Sequence, residues 1–222
     1  MKKDLIKFIV LVIILIGSFA LFIKQETKSV PIKIAFLGDS ITQYGWEQPN
    51  GYVNQVITGL TNAGMKILPI PAGKCGHTSL DMLNRMDKDV LSKNPDIMFF
   101  MGGLNDIWLN KGTFEEYQNN IKQIMDKAQA AGVRIVLMNL TIISEDINST
   151  TNREIDKYNE FLQKLANERS ILYIDLNSVM KNELKKHKTG EKNILTLDGV
   201  HLNDRGNSII AQKIVQDFLA NK

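Results

Sequence analysis

The chain has 222 residues, 44% of them hydrophobic and 23% charged. That length holds one α/β-sized domain with a large core, and the composition excludes a disordered chain, a collagen-like repeat and a low-complexity linker. Against 27 Lys and Arg stand 24 Asp and Glu, a formal charge of +3. Lys2, Lys3 and Lys7 gather much of that excess at the N-terminus and no dense basic run follows, so no nucleic-acid partner is expected. A single cysteine, Cys75, excludes an intrachain disulfide framework and a Cys-rich zinc site, and no metal or other cofactor is expected.

From Phe8 to Ile23 run 16 residues without a charge, bracketed by Lys7 and Lys24. As a helix they reach ~24 Å, slightly short of a bilayer core, but lysines at both ends can extend to the headgroups. Residues 1–23 are therefore expected to be a membrane anchor or a signal peptide. Ser18 and Ala20 offer a small-x-small cleavage site, while Leu21, Phe22 and Ile23 continue the apolar run past it, which favours the uncleaved anchor. With Lys2, Lys3 and Lys7 on the cytoplasmic side, everything beyond Lys24 is placed outside the cytoplasm, held to the membrane or, after cleavage, secreted. Residues 24–30 read as a tether and residues 31–222 as one domain.

Within that domain Ile32 to Leu37 is an apolar run ending at Gly38, and similar runs recur at Met65 to Ile70, Ile97 to Met101, Val133 to Leu140 and Ile171 to Ile174. Five runs predict five buried strands. Between them lie stripes with helical spacing: Tyr52, Val53, Val56, Ile57 and Leu60, stopped by Gly64; Leu80, Leu83, Met86 and Val90; and Tyr117, Ile121, Ile124, Met125 and Ala128, stopped by Gly132. Thr113 with Glu116, and Thr151 with Glu154, have capping-box spacing and predict two helix starts. A last helix carries Ile210, Ala211, Ile214, Val215, Phe218 and Leu219 on one stripe, with Asn203 as its cap. Strand and helix alternate throughout, which predicts a three-layer α/β/α domain on a five-stranded parallel sheet.

In such a sheet, ligands bind beyond the carboxyl ends of the strands. Polar clusters fall there: Gly38-Asp39-Ser40-Ile41-Thr42 after the first strand, Pro71-Ala72-Gly73 after the second and Gly102-Gly103-Leu104-Asn105-Asp106 after the third. Asp198-Gly199-Val200-His201 precedes the last helix. The Ser40 hydroxyl needs a base before it can attack an ester. His201 is the histidine suitably placed, because His187 lies in the Lys-rich stretch Lys185 to Lys188, while His77 follows the Gly73 loop and is a candidate pocket wall. Asp198 can orient His201 and hold its tautomer. Asp39 and Asp106 read as side chains that bind nearby backbone. Trp46 and Trp108, just after the first and third clusters, are candidate substrate-binding walls, and Cys75 is expected to be a small buried residue.

In this order the clusters resemble the signature blocks of the SGNH hydrolases, also called the GDSL esterase and lipase family. The resemblance runs from Ile32 to about Ala220 and includes Tyr158-Asn159 in the helix after the fourth strand. The four residues that name the family map onto Ser40, Gly73, Asn105 and His201. The first block reads Gly-Asp-Ser-Ile, and the position two before Gly73, commonly Asn in the family, is Pro71, a departure that bears on the loop around Gly73. The resemblance implies a flavodoxin-like fold, a nucleophilic Ser40 with His201 and Asp198, and an oxyanion hole made by the N–H groups of Ser40 and Gly73 and the amide of Asn105. A compact domain with 7% aromatics and no lid insertion suits short acyl groups, acetyl above all, and an acylated glycan as substrate. A lysophospholipase or thioesterase is the alternative on the same fold. Further alternatives are a metal-dependent phosphoesterase using Asp39, Asp106, Asp198 and His201 as ligands, and a noncatalytic carbohydrate-binding protein.

Overall fold

The computed structural model describes residues 30–188 and 191–222. The expected anchor at 1–23 and all of the tether but Val30 lie outside the described residues. Five strands form one parallel sheet: β1 (Ile32–Gly38), β2 (Ile67–Gly73), β3 (Ile97–Met101), β4 (Arg134–Met138) and β5 (Leu172–Ile174), in the order β2-β1-β3-β4-β5. Each ladder is parallel. The helices are α1 (Ser40–Glu47), α2 (Tyr52–Asn62), α3 (Ser79–Asp89), α4 (Leu104–Trp108), α5 (Phe114–Ala130), α6 (Thr150–Glu168), α7 (Leu176–Leu184) and α8 (Asp204–Ala220). Helix α8 packs on α2 and α7, whereas α3 packs on α5 and α4 on α6. The sheet is thus flanked by helices, the arrangement expected from the alternating pattern. Among the described residues, no helix is long and apolar enough to cross a membrane.

Burial on both faces explains why β3, Ile-Met-Phe-Phe-Met, contains no polar residue: all five of its side chains are buried. Phe99 stacks on Phe36 of β1 at 5.2 Å and meets Phe218 of α8 at 5.3 Å, joining sheet and helix layer. The chain places β2 on one side of β1 and then returns to place β3 on the other. The crevice where the order reverses lies between the carboxyl ends of β1 and β3, and Gly38 is paired there with both Gly73 and Met101.

Two strands differ from the periodicity by more than one residue at an end. The second strand continues through Pro69 and Pro71 to Gly73. Among the described residues it is an edge strand bonded only to β1, so the missing proline donors leave no ladder partner unsatisfied. The fourth ends at Met138 rather than Leu140, and the buried segment that follows is held by asparagine side chains instead of a neighbouring strand. Asn159 of α6 accepts from Leu140 N–H at 2.9 Å and donates to its carbonyl at 3.0 Å, Asn177 donates to the Thr141 carbonyl at 2.7 Å, and Asn152 accepts from Ile143 N–H at 3.1 Å. Buried backbone must find partners, and side-chain amides can supply both donor and acceptor.

The capping box of Thr113 and Glu116 forms, and Asn203 caps α8. That of Thr151 and Glu154 does not: Ser149 caps α6, accepting from Asn152 N–H at 3.2 Å. The earlier start puts Asn152 in the first turn, where its amide also donates to the carbonyls of Ser144 and Asp146 at 3.0 and 2.8 Å. A further capping box, Thr78 with Asp81, begins α3.

Candidate active site

Ser40 is the first residue of α1, and Asp39 is its N-cap, accepting from Ile41 N–H at 3.0 Å. The cap turns the chain sharply from strand into helix and leaves the serine at the positive end of the helix dipole. Asp39 is buried, and burial pushes its carboxyl up to about 6 against the opposing pull of the Ile41 hydrogen bond.

His201 Nε2 lies 2.9 Å from Ser40 Oγ, and His201 Nδ1 lies 2.6 Å from Asp198 Oδ2. With Nδ1–H donating to the carboxylate, Nε2 presents a lone pair to the serine hydroxyl. The other Asp198 oxygen accepts from the N–H groups of Val200 and His201 at 3.0 and 2.8 Å. Burial raises the Asp198 carboxyl, but the His201 ring and these backbone donors outweigh it and hold the group below its ordinary value. The rings of Tyr44 and His201 meet edge-to-face at a separation of 5.1 Å.

The loop carrying Asp198 and His201 is fastened from beneath by Glu145, a residue the sequence reading did not single out. Its carboxylate accepts from Ile194, Leu195 and Thr196 N–H at 3.0, 2.7 and 2.8 Å and from the Thr196 hydroxyl at 2.8 Å. Burial pushes this carboxyl up as well, yet the four donors together keep it below its ordinary value. The same hydroxyl accepts from Gly199 N–H at 3.2 Å, and Ser144 N–H donates to the Gly199 carbonyl at 2.7 Å.

On the far side of Ser40, Gly73 ends β2 directly opposite Gly38, so Pro71 leaves it in regular register. A Cβ on Gly73 would stand 2.3 Å from the Gln43 nitrogen, which only glycine avoids. Asn105 sits in the single-turn α4, entered through Gly103 at φ 138°, where a Cβ would also lie 2.6 Å from the Tyr117 ring. Its amide donates to the His77 carbonyl at 3.0 Å. Arg85, only 8% exposed and likewise not foreseen, donates to His77 Nδ1 at 3.1 Å, to the Gly38 carbonyl at 2.8 Å and to Asp89 at 3.3 Å. Burial, with Arg85 adding to it, draws the His77 imidazole below its ordinary value.

The remaining candidates divide. Asp106 accepts from Ser79 N–H at 2.9 Å and from the Ser79 hydroxyl, joining α4 to α3, and Asp39 serves its own helix. Neither carboxylate is offered to a metal alongside Asp198 and His201. Trp108 is 61% exposed and lines a cavity of about 760 Å³ that also reaches Asp198, Gly199 and Val200. Trp46, 36% exposed, does not line it. The His77 ring is occupied by Arg85 rather than facing that cavity. His187 lies between Glu183 and Glu191, at 3.9 and 3.3 Å, within the cavity wall. Cys75 is exposed, contrary to expectation, because it falls in the turn before Gly76, where φ is 74°, and not in the strand.

Fold and site together are those of an SGNH hydrolase. A family model described as GDSL-like Lipase/Acylhydrolase family matches residues 36–209. The chain belongs to this family and is a carboxylic ester hydrolase. It is 26% identical to an acetylxylan esterase of Geobacillus stearothermophilus, in a match covering 84% of this chain and 93% of that protein. The crystal structure of the acetyl xylan esterase AlAXEase superimposes with a TM-score of 0.77 at 33% identity, covering 83% of this chain and 98% of the other. That of Axe2, the acetylxylan esterase from Geobacillus stearothermophilus, does so with a TM-score of 0.75 at 25% identity, covering 84% and 93%.

Proposed function

We propose that the protein removes acetyl groups from an O-acetylated carbohydrate through a serine acyl-enzyme, with Ser40, His201 and Asp198 as catalytic residues. The observation that carries this reading is the unbroken chain from Ser40 Oγ to His201 Nε2 at 2.9 Å and from His201 Nδ1 to Asp198 at 2.6 Å. His201 takes the hydroxyl proton as Oγ bonds to the ester carbonyl carbon, and Asp198 stabilises the resulting imidazolium. The negative oxygen accepts hydrogen bonds from the N–H groups of Ser40 and Gly73 and from the Asn105 amide, whose second N–H is left over from the bond to His77. Collapse of the intermediate expels the sugar oxygen, which takes the proton from His201. Water then repeats the sequence and releases acetate.

The acetyl and carbohydrate parts of the reading are supported by the two acetylxylan esterases above. Trp108 is the wall proposed to meet substrate. His77 acts through its carbonyl, which holds the Asn105 amide. The charged lysines and carboxylates of the cavity beside the site disfavour the lysophospholipid alternative. The charge pattern of residues 1–24 supports an extracytoplasmic domain held at the membrane, so full-length protein should sediment with membranes and be released by external protease.

A panel of p-nitrophenyl esters from acetyl to palmitoyl, assayed with and without chelator, tests the reading. Fastest turnover on the shortest esters, unaffected by chelator, is the expected result. Preference for palmitoyl overturns the acetyl assignment, and loss of activity in chelator overturns the serine mechanism.

A further inference from the structure

Acyl transfer uses Ser40, Gly73, Asn105, Asp198 and His201 and leaves the neighbouring cavity without a role. At about 760 Å³ it far exceeds an acetyl group and falls within the range that holds drug-sized ligands. Its position is set by two of the residues flanking the nucleophile. Trp108 lies three residues after Asn105 on α4, which places both on one helix face. Val200, which also lines the cavity, immediately precedes His201. The cavity therefore borders the Asp198 end of the triad, walled by chain neighbours of His201 and Asn105, while Ser40, His201, Asn105 and Gly73 do not line it.

The lining chemistry narrows the ligand. Trp108 offers an exposed indole face, and the buried side chains of Ile143 and Leu184 lie deeper. Around them stand Asp146 and Lys185, an acceptor and a donor of opposite charge. An acyl chain entering here would strip water from charged groups and give them nothing in return. A polyanion would be met by carboxylates as well as lysines. A sugar ring matches both features: its C–H face lies on an aromatic ring while its hydroxyls donate to carboxylates and accept from ammonium groups.

We infer that this cavity is the leaving-group subsite and takes sugar units of the acetylated carbohydrate, with Trp108 stacked on a ring face. The assignment rests on the hydrolase reading above, since it needs Ser40 as the point of attack. It makes Trp108 a specificity residue, acting on the alcohol half of the ester and not on the acyl group.

The test compares kcat/KM on an acetylated xylo-oligosaccharide with kcat/KM on p-nitrophenyl acetate, which carries no sugar. The ratio of the two should fall about three- to tenfold in Trp108→Ala, mainly through KM for the oligosaccharide, and recover in Trp108→Phe, which keeps a ring. The unacetylated oligosaccharide should compete with p-nitrophenyl acetate in the wild-type protein. An unchanged ratio in Trp108→Ala, or no competition, overturns the subsite. Turnover of p-nitrophenyl acetate with none of the oligosaccharide overturns the subsite while the hydrolase reading stands. Absence of turnover on both esters defeats the hydrolase reading, and the subsite falls with it.

Discussion

The side-chain amide of Asn105 donates to the main-chain carbonyl of His77 at 3.0 Å, so the loop after β2 sets the rotation of a side chain carried by the helix after β3. One N–H is spent on that bond and the other is fixed in direction. An amide cannot exchange a proton in this chemistry, so in the proposed mechanism its contribution is donation to an oxygen whose charge grows as Ser40 attacks. Asn105→Ala is expected to lower kcat by ~10²–10³ with KM within a few-fold. Steady-state kinetics check this, and a raised KM with kcat intact would make Asn105 a substrate-positioning residue instead. Replacing Asp106, which joins α3 to α4, should reduce thermal stability more than turnover.

Arg85 reaches the same site from behind. It bonds the Gly38 carbonyl, two residues before Ser40, and the His77 ring, whose carbonyl orients Asn105. Lysine retains the charge but not the planar fork. Arg85→Lys is therefore expected to lower kcat about 10- to 100-fold through misplacement of the proposed oxyanion donors. Urea unfolding measured alongside separates positioning from global destabilisation: a kcat loss should persist where the variant remains folded.

Glu145 has the corresponding role for the other half of the site. Removing it leaves four donors beneath the Asp198–His201 loop without their acceptor. Glu145→Ala should cost about 2 kcal/mol, or a fall in Tm of about 4–8 °C, together with reduced turnover. Calorimetry checks the first and ester hydrolysis the second.

The carboxyls oppose one another in their pH dependence. Glu145 and Asp198 lie below their ordinary values when folded, so the stability they contribute is present at neutral pH and lost as the pH falls through their folded values. Asp39, raised from 3.8 to about 6 by burial, behaves in the opposite sense. Its contribution is complete below the unfolded value and is lost as the pH rises through about 6. Asp39→Asn keeps the acceptor for Ile41 without a charge, so its Tm relative to wild type should rise between pH 4 and pH 7.5, by the equivalent of up to roughly 3 kcal/mol. A difference constant over that range would mean that Asp39 is not held up by burial.

The parts of the site legible in the sequence are those whose meaning is local. Ser40, Asn105 and His201 stand at strand exits or before a helix, in chain order, and apolar runs, interrupted in the first only by Lys33, precede the first two. Arg85 and Glu145 carried no such signal, because the Gly38 carbonyl that Arg85 bonds and the backbone donors that Glu145 accepts from lie 47 and about 50 residues away in the chain and meet them only after folding. A charged residue next to Met86, beside an apolar stripe, was the available hint for Arg85. The run from Val133 to Leu140 reads as strand throughout because periodicity reports burial, not the kind of partner. Only the fold reveals that Asn159 and Asn177 replace the ladder beyond Met138.

The most direct test of the central claim is to expose the folded protein to a fluorophosphonate, locate the adduct by mass spectrometry and measure ester turnover in the same samples. A single adduct on Ser40 with loss of activity is expected. Both labelling and turnover should disappear in Ser40→Ala and in His201→Ala, whose thermal unfolding should stay close to that of the wild type because neither side chain is part of the core. An adduct on another residue, or substantial turnover by a folded Ser40→Ala protein, would contradict the serine mechanism.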